Sequence, residues 1–299
     1  MKKISVIGMP MDLGQLRRGV DMGPSAIRYA GVIERLENLG FQVDDLGDIQ
    51  IGRDKLETDP KTGVRNLDAV VKASEKLMRK IDEVMEENSF PLILGGDHSI
   101  AIGTLAGVAK KFNKLGVIWF DAHGDLNVPE TSPSGNIHGM PLAASLGLGE
   151  EKLVQLGGYS PKIQPENVVV IGARSLDPGE RELIKKMGIR VYTMHEIDRV
   201  GMSSIIEETI AYFKNQGVDG VHLSFDLDSL DTLYAPGVGT PVAGGVTYRE
   251  AHLAMELLAE TDMITSAEFV EVNPILDIEN KTGELAVALI GSLFGERIL

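Results

Sequence analysis

The chain has 299 residues, 43% hydrophobic and 24% charged, with 5% aromatics and a formal net charge of −15. That composition describes a globular protein long enough for one large α/β domain or two ordinary ones, and the acidic balance excludes a phosphate-backbone binder, which needs clustered Lys and Arg. There is no cysteine, so disulfides, thiolate metal sites and cysteine nucleophiles are excluded, and any metal must be held by His, Asp or Glu.

The opening "MKKISVIGMPMDLGQLRRG" places Lys2 and Lys3 before a short apolar run, a faint likeness to a secretory leader. Asp12 and the Arg17-Arg18 pair interrupt it, and no small-residue cleavage site follows. No segment approaches the roughly 18 apolar residues of a membrane span, and the cytoplasm is the expected compartment. "ISVIG" reads as a first strand, a helix runs from Pro24 to about Leu39, and "FQVDDLG" reads as a second strand. After a polar stretch near Arg53 to Arg65 comes "NLDAVVKASEKLMRKIDEVM", whose Leu67, Val70, Val71, Leu77, Ile81 and Val84 fall near one helical face. "PLILGG", "GVIWF", "VVVIG", "IRVYTM", "GVHLSFDL" and "ITSAEFV" read as further strands. Helices are expected from Ile100 to Phe112, Pro178 to Lys186, Ser203 to Phe213 and Tyr248 to Ala259. Strands alternating with helices imply βαβ units and a mostly parallel sheet buried on both faces. Periodicity leaves a closed barrel and an open sheet both available. With no long linker, repeat or low-complexity stretch, one domain over residues 1–299 is expected.

Four of these strands run into polar clusters. "PLILGG" leads into Asp97 and His98, "GVIWF" into Asp121, His123 and Asp125, "GVHLSF" into Asp226 and Asp228, and "SAEFV" into Glu271 and Asn273. Ligands of parallel α/β sheets bind beyond the carboxyl ends of the strands, so clusters on separate strands can converge. Residues two apart in extended chain project to the same side, which pairs Asp121 with His123 and Asp226 with Asp228. A lone DxD in an acidic chain is ordinarily a solvated loop; four strand ends with the same character are harder to explain that way. His98, Asp121, His123, Asp125, Asp226 and Asp228 together carry a charge that two divalent cations would neutralise. Such a carboxylate-rich set suits Mn²⁺ or another oxygen-loving ion. Asp97 reads as a helix cap or as a partner behind the metal ligands, the cap being the simpler reading; His222 and His252 read as packed or surface residues, and His195 could cap a helix. His138, closing the loop Asn127–Asn136 ("NVPETSPSGN") and "IHG", is the histidine most suited to meet a substrate.

No basic residue sits in the four clusters, which disfavours phosphoryl chemistry. Glu271 adds a further carboxylate, so a cationic amidine or guanidine is the expected electrophile, attacked by a water that paired metals activate. "GGDHS", "DAHGDLN", "SGNIHG", "DLDSLD" and "EVNP" resemble the signature of the ureohydrolases, the arginase branch in particular, and the likeness runs over essentially the whole chain. The resemblance implies a three-layer α/β/α fold around an eight-stranded, mostly parallel open sheet. It also implies two Mn²⁺ per subunit, hydrolysis of L-arginine to L-ornithine and urea by a metal-bridging hydroxide, and a homotrimer or homohexamer with no nucleic-acid or membrane partner.

By the same resemblance one ion takes His98, Asp121, Asp125 and Asp226, and the second takes Asp121, His123, Asp226 and Asp228. Glu271 orients the guanidinium with Thr240 nearby, His138 moves a proton, and Asp125 joins them as a catalytic position. Asp177 and Glu180 of "LDPGE" face the α-amino group, and Asn127, Ser134 and Asn136 receive the α-carboxylate. Asp177 followed by Pro178 also reads as a helix N-cap, which is compatible with facing a site. Ser229, Thr232 and Tyr234 stand where the family pattern leads one to expect Gly, Pro and Asp, and Val128-Pro129 is also atypical. An agmatinase or another guanidino-compound hydrolase is the rival enzyme, and a non-catalytic metal-binding regulatory protein the rival of another class.

Overall fold

The computed structural model describes residues 3–52 and 57–297; Lys2 and the stretch from Arg53 through residue 56 lie outside the described residues. Eight strands, β1 (Lys3–Met9), β2 (Gln42–Asp48), β3 (Phe90–Gly95), β4 (Leu115–Phe120), β5 (Val168–Ala173), β6 (Arg190–Thr193), β7 (Gly220–Asp226) and β8 (Ile264–Val270), form one sheet in the order β2-β1-β3-β8-β7-β4-β5-β6. Each pairing is parallel. Since β2 and β6 end the order without meeting, the sheet is open. All eight expected strands are present. Edge strand β2 carries Asp44, Asp45 and Asp48, a charged rim that discourages pairing with another chain.

Alternation along the buried strands divides the apolar residues between two layers. On one face Ile118, Phe120, Leu223, Phe225 and Phe269 meet helices Met202–Gln216, Tyr248–Ala259 and Lys281–Leu293. On the other, Ile93, Val117 and Trp119 meet helices Leu67–Glu86 and Ala101–Val108. Phe120, Phe225 and Phe269 stand in register across β4, β7 and β8, with ring centroids 4.8 and 5.3 Å apart. This stacked row holds the central strands together, and the sheet's carboxyl ends inherit its rigidity.

Several boundaries differ from the sequence reading. The single helix expected from Pro24 becomes Gly23–Tyr29 and Val32–Asn38, parted at Gly31, whose φ of 89° no helix interior accepts. The stretch after Ile100 splits into Ala101–Val108 and a short 3₁₀ turn, Ala109–Lys111. In the long helix Val71 is only partly buried, while Ala73, Ser74 and Met78 complete its inner face. His195 is not a cap. Thr193 caps helix Met194–Val200 through a capping box with Glu196, and His195 lies exposed in the first turn, because a short hydroxyl reaches the free N–H groups that an imidazole overshoots. His222 and His252 are packed, on Ser266 and Ser292 respectively. No helix among the described residues is long and apolar enough to cross a membrane.

Candidate metal centre

Strands β3, β8, β7 and β4 are consecutive in the sheet, so the four polar clusters, far apart in sequence, leave it side by side. The turn after β3 is shaped by Gly96: a Cβ there would lie 1.9 Å from the Met11 carbonyl, so only glycine lets the loop after β1 close over it. Asp97 then caps a 3₁₀ turn, accepting from the Ser99 N–H at 3.0 Å, and burial with repulsion from Glu271 pushes its carboxyl up to about 6. After β4 and β8, Asp125 (φ 51°) and Glu271 (φ 67°) adopt the left-handed conformation. Non-glycine residues pay about 1–3 kcal/mol for this, a cost the surrounding loops sustain.

The buried Nδ1 of His98 faces Asp121 Oδ2 at 3.1 Å, Asp125 Oδ2 at 3.1 Å and Asp226 Oδ2 at 3.2 Å, yet makes no hydrogen bond. The Nδ1 of His123 faces Asp121 Oδ1 at 3.3 Å and Asp228 Oδ2 at 3.2 Å. Asp121 thus presents one oxygen to each imidazole, and the ligand atoms fall into two groups, His98–Asp121–Asp226 and Asp121–His123–Asp228. Asp226, which the family resemblance has serving both, has Oδ2 toward His98 while its Oδ1 accepts the Asp228 N–H at 2.7 Å. Burial disfavours charge on both imidazoles, but the carboxylates outweigh it and raise both pKa values. Burial and repulsion from Asp121 push the Asp125 carboxyl up to about 7, and burial with Asp228 and Asp121 raises Asp226 well above the usual range. A buried, unpartnered imidazole nitrogen aimed at three carboxylate oxygens fits a cation held by N and O donors, and the shortage of soft ligands fits Mn²⁺ or a similar hard ion.

Around these groups lies a cleft of about 140 Å³ whose lining includes Asp125, Asn127, Ser134, Asn136, His138 and Thr240. Asp177 and Glu180 border it too, in a complete capping box on helix Pro178–Met187, so the cap and the cleft positions coincide. Both Glu180 oxygens are engaged, accepting Leu126 N–H at 3.0 Å and Asp177 N–H at 2.7 Å. Asn127 donates to Asp177 at 2.9 Å and accepts from Thr131 at 3.0 Å, whereas Asn136 Oδ1 is buried and without a partner. Thr240 donates to Asp228 Oδ2 at 2.9 Å. Glu271 Oε1 accepts the His98 backbone N–H at 2.9 Å and faces His138 Nδ1 at 3.4 Å. Burial lowers the His138 pKa, but Glu271 reverses this and raises it to about 9.

Sequence reasoning missed the supports. Trp119 stacks on His98 at 4.1 Å and donates to Asp121 Oδ2 at 3.0 Å; Gln15 donates to Glu271 Oε2 at 3.0 Å. Behind His98, its Nε2 meets Ser224 Oγ at 2.7 Å, and Ser224 donates to the buried Glu268 at 2.7 Å. A signal for this row exists: His222, Ser224 and Asp226 are polar at alternate positions of a strand that is otherwise apolar.

The Arginase family model matches residues 2–295. The chain is 67% identical to an arginase of Bacillus caldovelox, over 100% of both chains. The solved structure of that organism's arginase superposes with a TM-score of 0.97 at 67% identity, again over 100% of both. An Entamoeba histolytica arginase solved in complex with L-ornithine is 35% identical, with a TM-score of 0.91 over 99% of this chain and 100% of that one.

Proposed function

The chain belongs to the arginase family, and on that premise we propose that it hydrolyses L-arginine to L-ornithine and urea at a centre holding two Mn²⁺ ions. The observation carrying this reading is the buried His98 Nδ1, unpartnered and within 3.2 Å of three carboxylate oxygens, beside a second group that shares Asp121 with it. His98, Asp121, Asp125 and Asp226 would hold one ion; Asp121, His123, Asp226 and Asp228 the other. Two such ions, when bound, supply a water activated for attack at neutral pH.

The protein's own groups do the rest. Glu271, locked by the His98 N–H and Gln15, presents a fixed negative charge for the planar guanidinium, and Thr240 lies on the same side through Asp228. With Nδ1 of His138 turned to Glu271, Nε2 is left to serve the substrate. Glu271 favours the protonated form of His138, which would let the ring give a proton to the departing ornithine amine. Asp177 and Glu180 suit the α-amino group, and Asn127, Ser134 and Asn136 of the same cleft carry N–H and O–H donors suited to the α-carboxylate. Residues 1–299 would act as one catalytic domain, cytoplasmic and assembled as a homotrimer or homohexamer.

The test is reconstitution with Mn²⁺, urea release from L-arginine and agmatine side by side, and a metal count on the same sample. Urea from arginine with about two ions per chain is expected. A preference for agmatine would return Asp177 and Glu180 to a purely structural role, and no urea from either substrate with both ions bound would overturn the reading.

A further inference from the structure

Resting on the two-ion reading above, we propose that Arg174 is the positioning residue of the second ligand group: it fixes the backbone that carries Asp228 and Thr240, so its loss weakens the Asp121–His123–Asp228 position while leaving His98–Asp121–Asp226 intact.

Arg174 follows β5, and its backbone N–H donates to the Ala122 carbonyl at 2.9 Å, tying it to the loop of Asp121 and His123. Its two terminal nitrogens donate only to main-chain carbonyls, while its buried Nε has no partner. One terminal nitrogen donates to Asp228 O at 2.7 Å, Leu230 O at 3.2 Å and Val242 O at 2.7 Å; the other donates to Ser229 O at 3.0 Å and Gly172 O at 3.3 Å. Three successive carbonyls, those of residues 228 to 230, therefore wrap one planar fork, and Val242 brings in the segment of Thr240. No carboxylate pairs directly with Arg174 among the described residues; its charge sits in the field of Asp228, Asp121, Asp231 and Asp226.

From Asp226 to Tyr234 the chain has no Pro, so no ring fixes φ in this loop, and Arg174 adds to the bonds the loop makes internally and to the Val246 backbone. The fit is close: a Cβ on Gly245 would stand 2.6 Å from an Arg174 nitrogen and 2.6 Å from the Leu230 carbonyl carbon. A lysine cannot substitute, because its ammonium has three donors on a single point and cannot span five separated carbonyls. The first group has other supports. His98 is held by the Trp119 ring and by Ser224, and neither touches Arg174.

The experiment titrates Mn²⁺ into chelator-treated wild type, R174K and R174A by calorimetry, with electron paramagnetic resonance separating coupled ion pairs from single ions and circular dichroism reporting the fold. Wild type should take up both ions and show a coupled pair. R174K should lower the first affinity far less than the second, since the Trp119 and Ser224 contacts of His98 remain even though Asp121 is shared. Its second affinity should fall on the order of 10–100-fold, the usual cost of losing a partner behind the ligands, and the coupled signal should give way to a single-ion one. R174K, which retains the charge, is the variant to read should R174A fail to fold. Folded variants that keep both ions at wild-type affinity, or lose both equally, overturn the proposal alone. A wild type that binds a single ion overturns the two-ion reading and the proposal with it.

Discussion

Glu271→Gln keeps the side-chain volume and removes its charge, and the structure shows what that charge holds. Oε1 accepts the His98 N–H at 2.9 Å and faces His138 Nδ1 at 3.4 Å, while Oε2 accepts from Gln15 at 3.0 Å. An amide retains one acceptor, and its NH₂ confronts the Gln15 amide until that side chain turns over. The quantity at stake is the protonation of His138. Burial alone would lower its pKa below the ordinary 6.5; Glu271 first, with smaller help from the Asp125 and Asp97 charges, brings it to about 9. At about 1.4 kcal/mol for each tenfold in proton affinity, that interval corresponds to roughly 3 kcal/mol. The ring keeps 18% of its surface in solvent, which makes this an upper figure.

The folded-state pKa is the raised one, so the stabilisation is complete below the unfolded value of 6.5 and is lost as pH rises through about 9. In metal-free protein, an NMR titration of the His138 ring should show its midpoint falling by more than about one pH unit on going from wild type to E271Q. Urea denaturation should show a larger stability gap between the two proteins near pH 6 than near pH 10. A His138 midpoint common to both, or a gap unchanged between those pH values, would refute the reasoning.

Gly239→Ala places a Cβ 2.2 Å from Glu271 Oε2 and 3.1 Å from the Gln15 amide oxygen. It should cut kcat/KM for arginine at least about tenfold through misplaced charge, with Mn²⁺ content unchanged; wild-type turnover would show that Glu271 yields without consequence. Asp177→Ala removes one half of the capping box on Pro178–Met187 and should cost about 1 kcal/mol in urea denaturation. An unmoved midpoint would mean that this cap contributes nothing. Chelation should lower the melting temperature, since Mn²⁺ at about 100 times its dissociation constant adds about 2.7 kcal/mol; scanning calorimetry with and without metal reads this directly, and superimposed transitions would count against a metal centre.

The element pattern was open to reading because each signal is local. "VVVIG" and "PLILGG" are apolar on both faces, as central parallel strands must be, and the structure buries every residue of both. Helix Tyr248–Ala259 starts where the capping box of Thr247 and Glu250 places it. The break at Gly31 was not legible, since Pro24 to Leu39 keeps an amphipathic period across a residue whose positive φ only the folded chain reveals. Of the supports, Gln15 lies 256 residues from Glu271, and no spacing rule links two such positions.

By itself the sequence determined the eight strands, the open α/β class through family resemblance, and which carboxylates and imidazoles stand at strand ends, because period-two projection and the apolar-to-polar change are properties of a few adjacent residues. Only the tertiary structure decided that β3, β8, β7 and β4 lie side by side, so that His98 faces both Asp125 and Asp226, and Arg174 gathers the carbonyls of residues 228 to 230. Strand order and loop contacts are set by packing energies summed over residues distant in the chain, and no local pattern contains that sum.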